Sequence, residues 1–320
     1  MRDTLVIVNP ASAGGRTAKQ WPLLQRCLVD AGVEFEARIT AGPADAITHT
    51  REALREGVAR VVAVGGDGTL NEIVNGWFDP KTLQPINPDA SLGLLPSGTG
   101  GDFRKTAGIP MHHAAACALL ARGDTRRIDA GRIDYHGGGA PDPRWFVNIA
   151  DCGIGGDVVN RVNHSRKRGG GTLTFAWHSL AALMTFGSRM VRVDVDGRAS
   201  EGPMQNVVVA NGRYFGGGMQ IAPQASIDDG LFDVVTIGEL TRRRSLTGMS
   251  GIYRGRHIGR PGVTFTRGRV VTVTPLEQRP VLFDVEGEQV GRAPATLTCL
   301  PGALRLCAPG VSLGAQAAAC

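Results

Sequence analysis

The chain has 320 residues and a mass of 33.7 kDa, long for one compact core and ample for two domains. Hydrophobic residues at 42% and charged residues at 20% describe a globular composition and exclude a disordered chain. Thirty-five basic against 29 acidic residues leave a net charge of +6 and a pI near 9.3, which favours phosphates or acidic lipid surfaces as partners without choosing between them.

The first third alternates strand and helix signals. Residues 5–8 form a short β-rich run closed by Asn9-Pro10. Residues 16–31 carry Trp21, Leu24, Leu28 and Ala31 at helical spacing, with Pro22 expected in the first turn. A strand over 35–40, a helix over 44–56 and a strand over 61–64 follow. The last has no polar residue, which suits a parallel sheet covered on both faces. A helix then runs from Thr69 to about Gly76, a strand over 92–95 and a helix over 112–122. This βαβα order predicts a doubly wound α/β domain over residues 1–128.

Past residue 128 the pattern changes. Short β-rich runs at 145–149, 190–195, 207–210, 233–237, 270–273 and 281–285 are parted by Gly, Pro and Asp turns. They predict an antiparallel β-sandwich over 129–309 with one or two inserted helices, of which 173–186 is the best candidate. Residues 310–320 read as a frayed tail. The six cysteines contain no C-x-x-C pair, which counts against zinc and thioredoxin-like chemistry. A four-residue apolar run near the N-terminus is too short for a signal-peptide core, so a cytoplasmic, reduced setting is expected. No G-x-x-x-x-G-K-[ST], spaced G-x-G-x-x-G, H-E-x-x-H or G-x-S-x-G occurs, which disfavours P-loop ATPases, dinucleotide dehydrogenases, zincins and α/β-hydrolases.

Glycine numbers 45, about twice its usual share of roughly 7%, and it clusters in loops. Three of those loops each follow a buried strand: Asn9 to Gly15, Gly65 to Glu72, and Pro96 to Phe103. Strand ends of an open parallel sheet converge on one edge, where glycines bare backbone N–H groups to an anion. Any one loop also reads as a tight βα turn; three at one rim favour a polyphosphate site. Asp67 repels phosphate unless a cation intervenes, and magnesium is the hard cation that suits carboxylate and phosphate together. The plainer alternative is a turn aspartate bonding nearby backbone.

VVAVGGDGTLNEIVNG (61–76), LGLLPSGTGGDFRKT (92–106) and VNPASAGGRT (8–17) resemble the nucleotide loops of the diacylglycerol kinase catalytic-domain family, which includes bacterial lipid kinases and sphingosine kinases. FVNIADCGIGGDVV (146–159), NGRYFGGGMQIAP (211–223), ASIDDGLFDV (225–234) and EGEQVGRAP (286–294) extend the resemblance into the second domain. It implies ATP and a lipid hydroxyl meeting between an α/β domain and a β-sandwich. The implied ATP contacts are Asn9, Pro10, Ala11, Ser12 and Ala13, then Thr40, then Gly65, Gly66, Asp67, Gly68, Thr69, Leu70 and Asn71, and finally Thr99. The resemblance also implies a structural magnesium at Ser226, Asp229 and Leu231, the first and last through their backbone carbonyls, a turn that otherwise reads as a solvated loop. Glu288 matches the family's general base, and Asp67 joins it in the chemistry. Charge alone leaves Glu286 and Glu288 as exposed residues beside a hairpin glycine. Gly101 stands where many relatives have asparagine, and Glu286 where they have aspartate.

Between residues 240 and 276 there is no acidic residue but eight arginines: Arg242, Arg243, Arg244, Arg254, Arg256, Arg260, Arg267 and Arg269. Arg161, Arg166, Lys167 and Arg168 precede the helix predicted over 173–186, with its Phe175 and Trp177. Peripheral contact with anionic lipid at the inner face of the membrane and a solvated basic surface explain these clusters equally well. No nucleic-acid recognition motif is present. The oligomeric state is left open, a homodimer included. A kinase of soluble alcohols, NAD kinase in particular, and a catalytically silent nucleotide- or lipid-binding regulator are the rival readings.

Overall fold

A computed structural model of the chain describes residues 3–97, 101–137, 141–153, 187–240 and 251–310. The helix predicted over 173–186 and the basic cluster at 161–168 lie outside the described residues, as does Thr99. The chain opens with parallel strands β1 (Thr4–Val8), β2 (Glu36–Ile39), β3 (Arg60–Gly65) and β4 (Ser91–Pro96), arranged β2-β1-β3-β4. Helices α1 (Ser12–Asp30), α2 (Asp45–Arg55), α3 (Asp67–Trp77), α4 (Asp102–Ala107) and α5 (His113–Arg122) cover both faces. β3 shows why its run has no polar residue. Val61 and Ala63 pack with α2 and α3 on one side, while Val62 and Val64 pack with Leu24, Leu28 and Leu120 on the other.

Regular helix in α1 begins at Arg16, because Ala13, Gly14 and Gly15 all have positive φ. Pro22 therefore sits inside the helix and not in its first turn. It is exposed, so the carbonyl that its missing N–H leaves unbonded faces the solvent side.

The second lobe contains, among the described residues, β5 (Thr125–Tyr135), β6 (Arg144–Phe146), β7 (Ile149–Gly153), β8 (Arg189–Val195), β9 (Arg198–Ala210), β10 (Phe232–Gly238), β11 (Val263–Gly268), β12 (Val270–Pro275), β13 (Leu282–Val285), β14 (Glu288–Arg292) and β15 (Ala295–Cys307). One layer runs β6-β5-β15-β12-β8 and the other β13-β7-β9-β10-β11, with β14 paired to β13. β9 belongs to both: residues 198–204 pair with β8, and 206–210 with β7 and β10. The layers close on a core that includes Phe146 and Phe232, stacked at 5.6 Å. The run expected as one strand over 145–149 is two strands, parted at Val147-Asn148.

β15 unites the lobes. Its length pairs antiparallel with β5 and β12, and its last residues, Arg305 and Leu306, run parallel to Ser91 and Leu92 of β4. The nucleotide-type sheet and the sandwich thus share one hydrogen-bonded strand. Leu306 is fully buried in the α2–α3 side of the first lobe's core. Leu306→Ala should cost about 2–5 kcal/mol. Calorimetry should show one transition moved to lower temperature; two separated transitions would contradict the shared strand.

Candidate functional site

The three glycine loops meet at one rim, as expected for strand ends of an open sheet, and side chains tie each to the others. The Asn9 amide donates to Thr69 Oγ1 at 3.1 Å, joining the first and second loops. Thr17, on the first turn of regular helix in α1 and bonded to Ser12, has its hydroxyl 2.8 Å from that of Ser97, joining the first and third. The N–H groups of Asp102 and Phe103 donate to the Asp67 carboxylate at 2.9 and 3.4 Å, joining the second and third. Asp67 therefore caps α4, a role close to the plainer reading of that residue, on another loop's backbone. Burial pushes its carboxyl above the usual range, and those N–H groups oppose the shift.

Gly65 must be glycine, since a Cβ there would lie 2.4 Å from Thr69 Oγ1. Around Gly66 and Gly68 the corresponding space is open. Ala11 donates its N–H to Asn9 Oδ1 at 3.1 Å, while Ala11 and Ala13 stay exposed or nearly so beside Pro10 and Ser12. Thr40 is buried and donates its N–H to Val8 O at 2.9 Å, at the adjoining strand end. Leu70 and Asn71 do not line the rim with their side chains. Leu70 is buried in the core, and Asn71 Oδ1 accepts from Asn75 at 2.6 Å. Gly66, Asp67, Ser97, Gly101 and Arg104 border a recess at this rim.

A strut of four residues carries the second lobe to the recess. Asn75, on the helix that starts at Asp67, exchanges two hydrogen bonds with the Trp145 backbone, at 2.9 and 3.0 Å. Phe78 stacks on the Trp145 ring at 5.1 Å. Two residues on, the N–H groups of Val147 and Asn148 both donate to Glu286 Oε1 at 2.7 Å. Asn211 fixes the same segment by donating to Val147 O at 2.7 Å. These bonds part β6 from β7, which the apolar run 145–149 did not reveal.

Glu286 and Gly287 are the central residues of a two-residue hairpin between β13 and β14, with φ of +54° and +92°. This is the type I′ geometry that closes tight hairpins. The Glu286 carboxyl turns inward, and its Oε2 is buried with no partner among the described residues. Burial pushes it up to about 8; the Asn148 and Val147 N–H groups oppose this, and the charges of Asp67 and Glu288 add to it. Glu286 is thus near enough to Asp67 of the nucleotide-type loop for the two charges to repel. Glu288, on the other side of Gly287, is 42% exposed and ion-paired to Arg144 at 2.7 Å. A second carboxylate pair, Asp151 and Asp284, faces across β7 and β13. Burial raises both, Asp284 to about 7.

At the turn of Ser226, Asp229 and Leu231 the polar groups pair with their neighbours. Ser226 Oγ bonds Asp228, the Leu231 N–H donates to Asp229 at 3.1 Å, and the Asp229 carboxylate is ion-paired with Arg267. Arg267 also holds Asp233 at 2.8 Å, and Arg126 holds Asp228 at 3.0 Å. The Arg267 guanidinium thus holds Asp229, the side-chain ligand expected at this turn. Arg267 is thereby drawn out of the basic stretch, whereas Arg254, Arg256 and Arg260 remain exposed beside Tyr253, itself 50% exposed. Arg242, Arg243 and Arg244 lie outside the described residues. No described helix is long and apolar enough to cross a membrane.

A second bridge went unread in the sequence. Asp102 on α4 accepts from Gly217 N–H at 2.7 Å and pairs with Lys105 at 2.7 Å, and Lys105 Nζ lies 5.6 Å from the Tyr214 ring centroid. Thr106 Oγ1 accepts from Arg213 N–H at 2.9 Å. The 211–219 loop of the sandwich lobe is thus bonded to the helix after the third glycine loop. Asn75 carried only a helix signal and Asp102 only a loop signal, so neither pointed across the lobes.

Residues 3–133 match the diacylglycerol kinase catalytic domain, and residues 148–308 match the YegS C-terminal NAD kinase beta sandwich-like domain. A probable lipid kinase YegS-like protein of Stenotrophomonas maltophilia is 32% identical over 278 residues, 87% of this chain and 88% of that one. One of Pseudomonas aeruginosa is 31% identical over 308 residues, 96% and 95% of the two chains. Among solved structures, a putative diacylglycerol kinase from Bacillus anthracis superposes with a TM-score of 0.74 at 21% identity, covering 96% and 97% of the chains, a likeness of fold. An α/β lobe with three tied glycine loops, a β-sandwich lobe and these relatives make this chain a member of the YegS-like branch of the diacylglycerol kinase catalytic-domain family.

Proposed function

We propose that the chain is an ATP-dependent lipid kinase that transfers the γ-phosphoryl group of ATP to the hydroxyl of a diacylglycerol-like lipid. The observation that carries this reading is the Glu286 carboxyl, held inward by the 145–148 strut and near enough to Asp67 of the nucleotide-type loop for their charges to interact, with Glu288 two residues on. A phosphoryl donor on one lobe and a proton acceptor on the other can then meet at one point.

The open backbone at Gly66 and Gly68 would receive the phosphates, and Thr40 and Thr99 belong to the expected adenosine-triphosphate contacts. In the transfer, the lipid oxygen bonds to the γ-phosphorus, the bond from that phosphorus to the β–γ bridging oxygen breaks, and ADP leaves. The hydroxyl proton passes to the Glu288 carboxylate, which must first leave Arg144. Glu286 is poorly suited to that role at neutral pH, since burial keeps a proton on it; its Oε1 instead holds Val147 and Asn148 in place. Asp67 borders the recess and is the residue that would turn to magnesium. Among the described residues no three His, Cys, Asp or Glu side chains gather into a cage, so the ion's other ligands would be phosphate and water oxygens. Magnesium bound there would neutralise phosphate charge. The exposed Arg254, Arg256 and Arg260 beside Tyr253 are read as the face that meets anionic headgroups, worth about 1 kcal/mol per charge near the surface.

Glu288→Gln should lower transfer by about 10²–10⁴-fold while leaving nucleotide affinity nearly intact. The assay is γ-labelled ATP with a panel of neutral lipids, followed by organic extraction. Label in no lipid product with the wild-type chain would sink the lipid reading, and label on NAD would favour the soluble-alcohol kinase. Asp67→Ala should weaken magnesium-dependent activity and loosen α4; equal activity across a magnesium titration would count against its metal role.

Glu286 also gives a pH signature. Its folded value of about 8 lies above the ordinary 4.5, so the native state holds a proton that the unfolded chain gives up. Its contribution to stability is therefore present at low pH and lost as pH rises through that window. Urea midpoints should fall between about pH 6 and about pH 8.5, and Glu286→Gln should reduce that slope. An unchanged slope would place the Glu286 carboxyl in water.

A further inference from the structure

Arg104 is the one cationic side chain among the described residues that border the recess, and it is placed there by the glycine at 101. Gly101 has φ +94°, and a Cβ built on it would stand 3.2 Å from Cγ and Cδ of Arg104 and 3.3 Å from its Nε. The arginine stem thus lies in the space a side chain at 101 would need. Its Nε is buried and, among the described residues, has no hydrogen-bond acceptor. No described carboxylate is ion-paired with its guanidinium, although Lys105 next to it is committed to Asp102 at 2.7 Å.

A buried guanidinium N–H without an acceptor is costly, and a planar fork of donors matches phosphate oxygens better than any neutral ligand. The same recess is floored by Gly66, whose surroundings are open. We propose that Arg104 grips a phosphoryl oxygen of the nucleotide in this recess, its stem lying in the room that glycine at 101 leaves. This rests on the nucleotide reading above. Arg104 is a binding and positioning residue; it takes no proton and forms no bond in the transfer.

Isothermal titration calorimetry of the full chain with ATP, ADP and adenosine, in magnesium, tests it. Arg104→Met should weaken ATP binding about tenfold or more and leave adenosine binding within about twofold, with Arg104→Lys in between. Inorganic tripolyphosphate should compete with ATP on the wild-type chain, and less well on Arg104→Met. Gly101→Ala should weaken ATP in the same direction, because its Cβ crowds the arginine stem. In an Arg104→Met background that second loss should shrink, since the two changes act on one contact. Melting temperatures of all variants check folding. Wild-type binding with ATP affinity unchanged in Arg104→Met overturns this inference alone and leaves the kinase reading standing. Equal losses for ATP and adenosine also overturn it, as damage not directed at phosphate. A wild-type chain that binds no nucleotide overturns both.

Discussion

The reciprocal pair of hydrogen bonds between the Asn75 amide and the Trp145 backbone is the contact on which the geometry of the cleft depends. Asn75 sits on the helix that begins at Asp67, and Trp145 begins the strut whose other end is clamped by Glu286. The amide is buried, with its nitrogen also donating to Asn71 O and Oδ1, so each of its groups has a defined partner. In a low-dielectric interior such a network has few alternative arrangements, because an unmade bond there is expensive. The separation of nucleotide loop and acidic hairpin is thereby set by peptide geometry over a few residues.

β15 reinforces this from behind. A strand that pairs with β5 and β12 in the sandwich and with β4 in the parallel sheet leaves little freedom for one lobe to swing on the other. The bonds from Gly217 to Asp102 and from Arg213 to Thr106 add a third connection. Each connection ends on a helix that follows a glycine loop or on the strand beside it, so the loops and the second lobe are positioned together.

Charge is distributed with the same economy. The hairpin and Asp67 bring carboxylates near one another, and burial raises Asp67 and Glu286 toward the neutral form. Elsewhere the chain answers carboxylates with arginine: Asp228 with Arg126, and Asp229 and Asp233 with Arg267. The turn at Asp228 and Asp229 is thus internally neutralised. A net charge of +6 concealed this, since it counts the paired Arg267 and the exposed Arg254 alike.

The α/β lobe was legible because its signals are local. An unbroken apolar strand such as 61–64 is buried on both faces, and a glycine cluster after it has few other uses. Helical spacing placed α1 from Arg16, and the motif series carried the family and the two-lobe plan. β15 was missed because Pro301-Gly302 interrupts its pattern, while its pairing with two sheets is a long-range property. The same holds for the inward turn of Glu286 beside an outward Glu288. Both glutamates flank one glycine, and only the backbone hydrogen bonds of Val147 and Asn148, more than a hundred residues away, decide which of them is buried. Composition and motif determined the lobes, the loops and the chemistry they suit. Which polar groups face one another across the cleft was decided by tertiary structure, because a hydrogen bond needs two partners and a sequence position specifies only one.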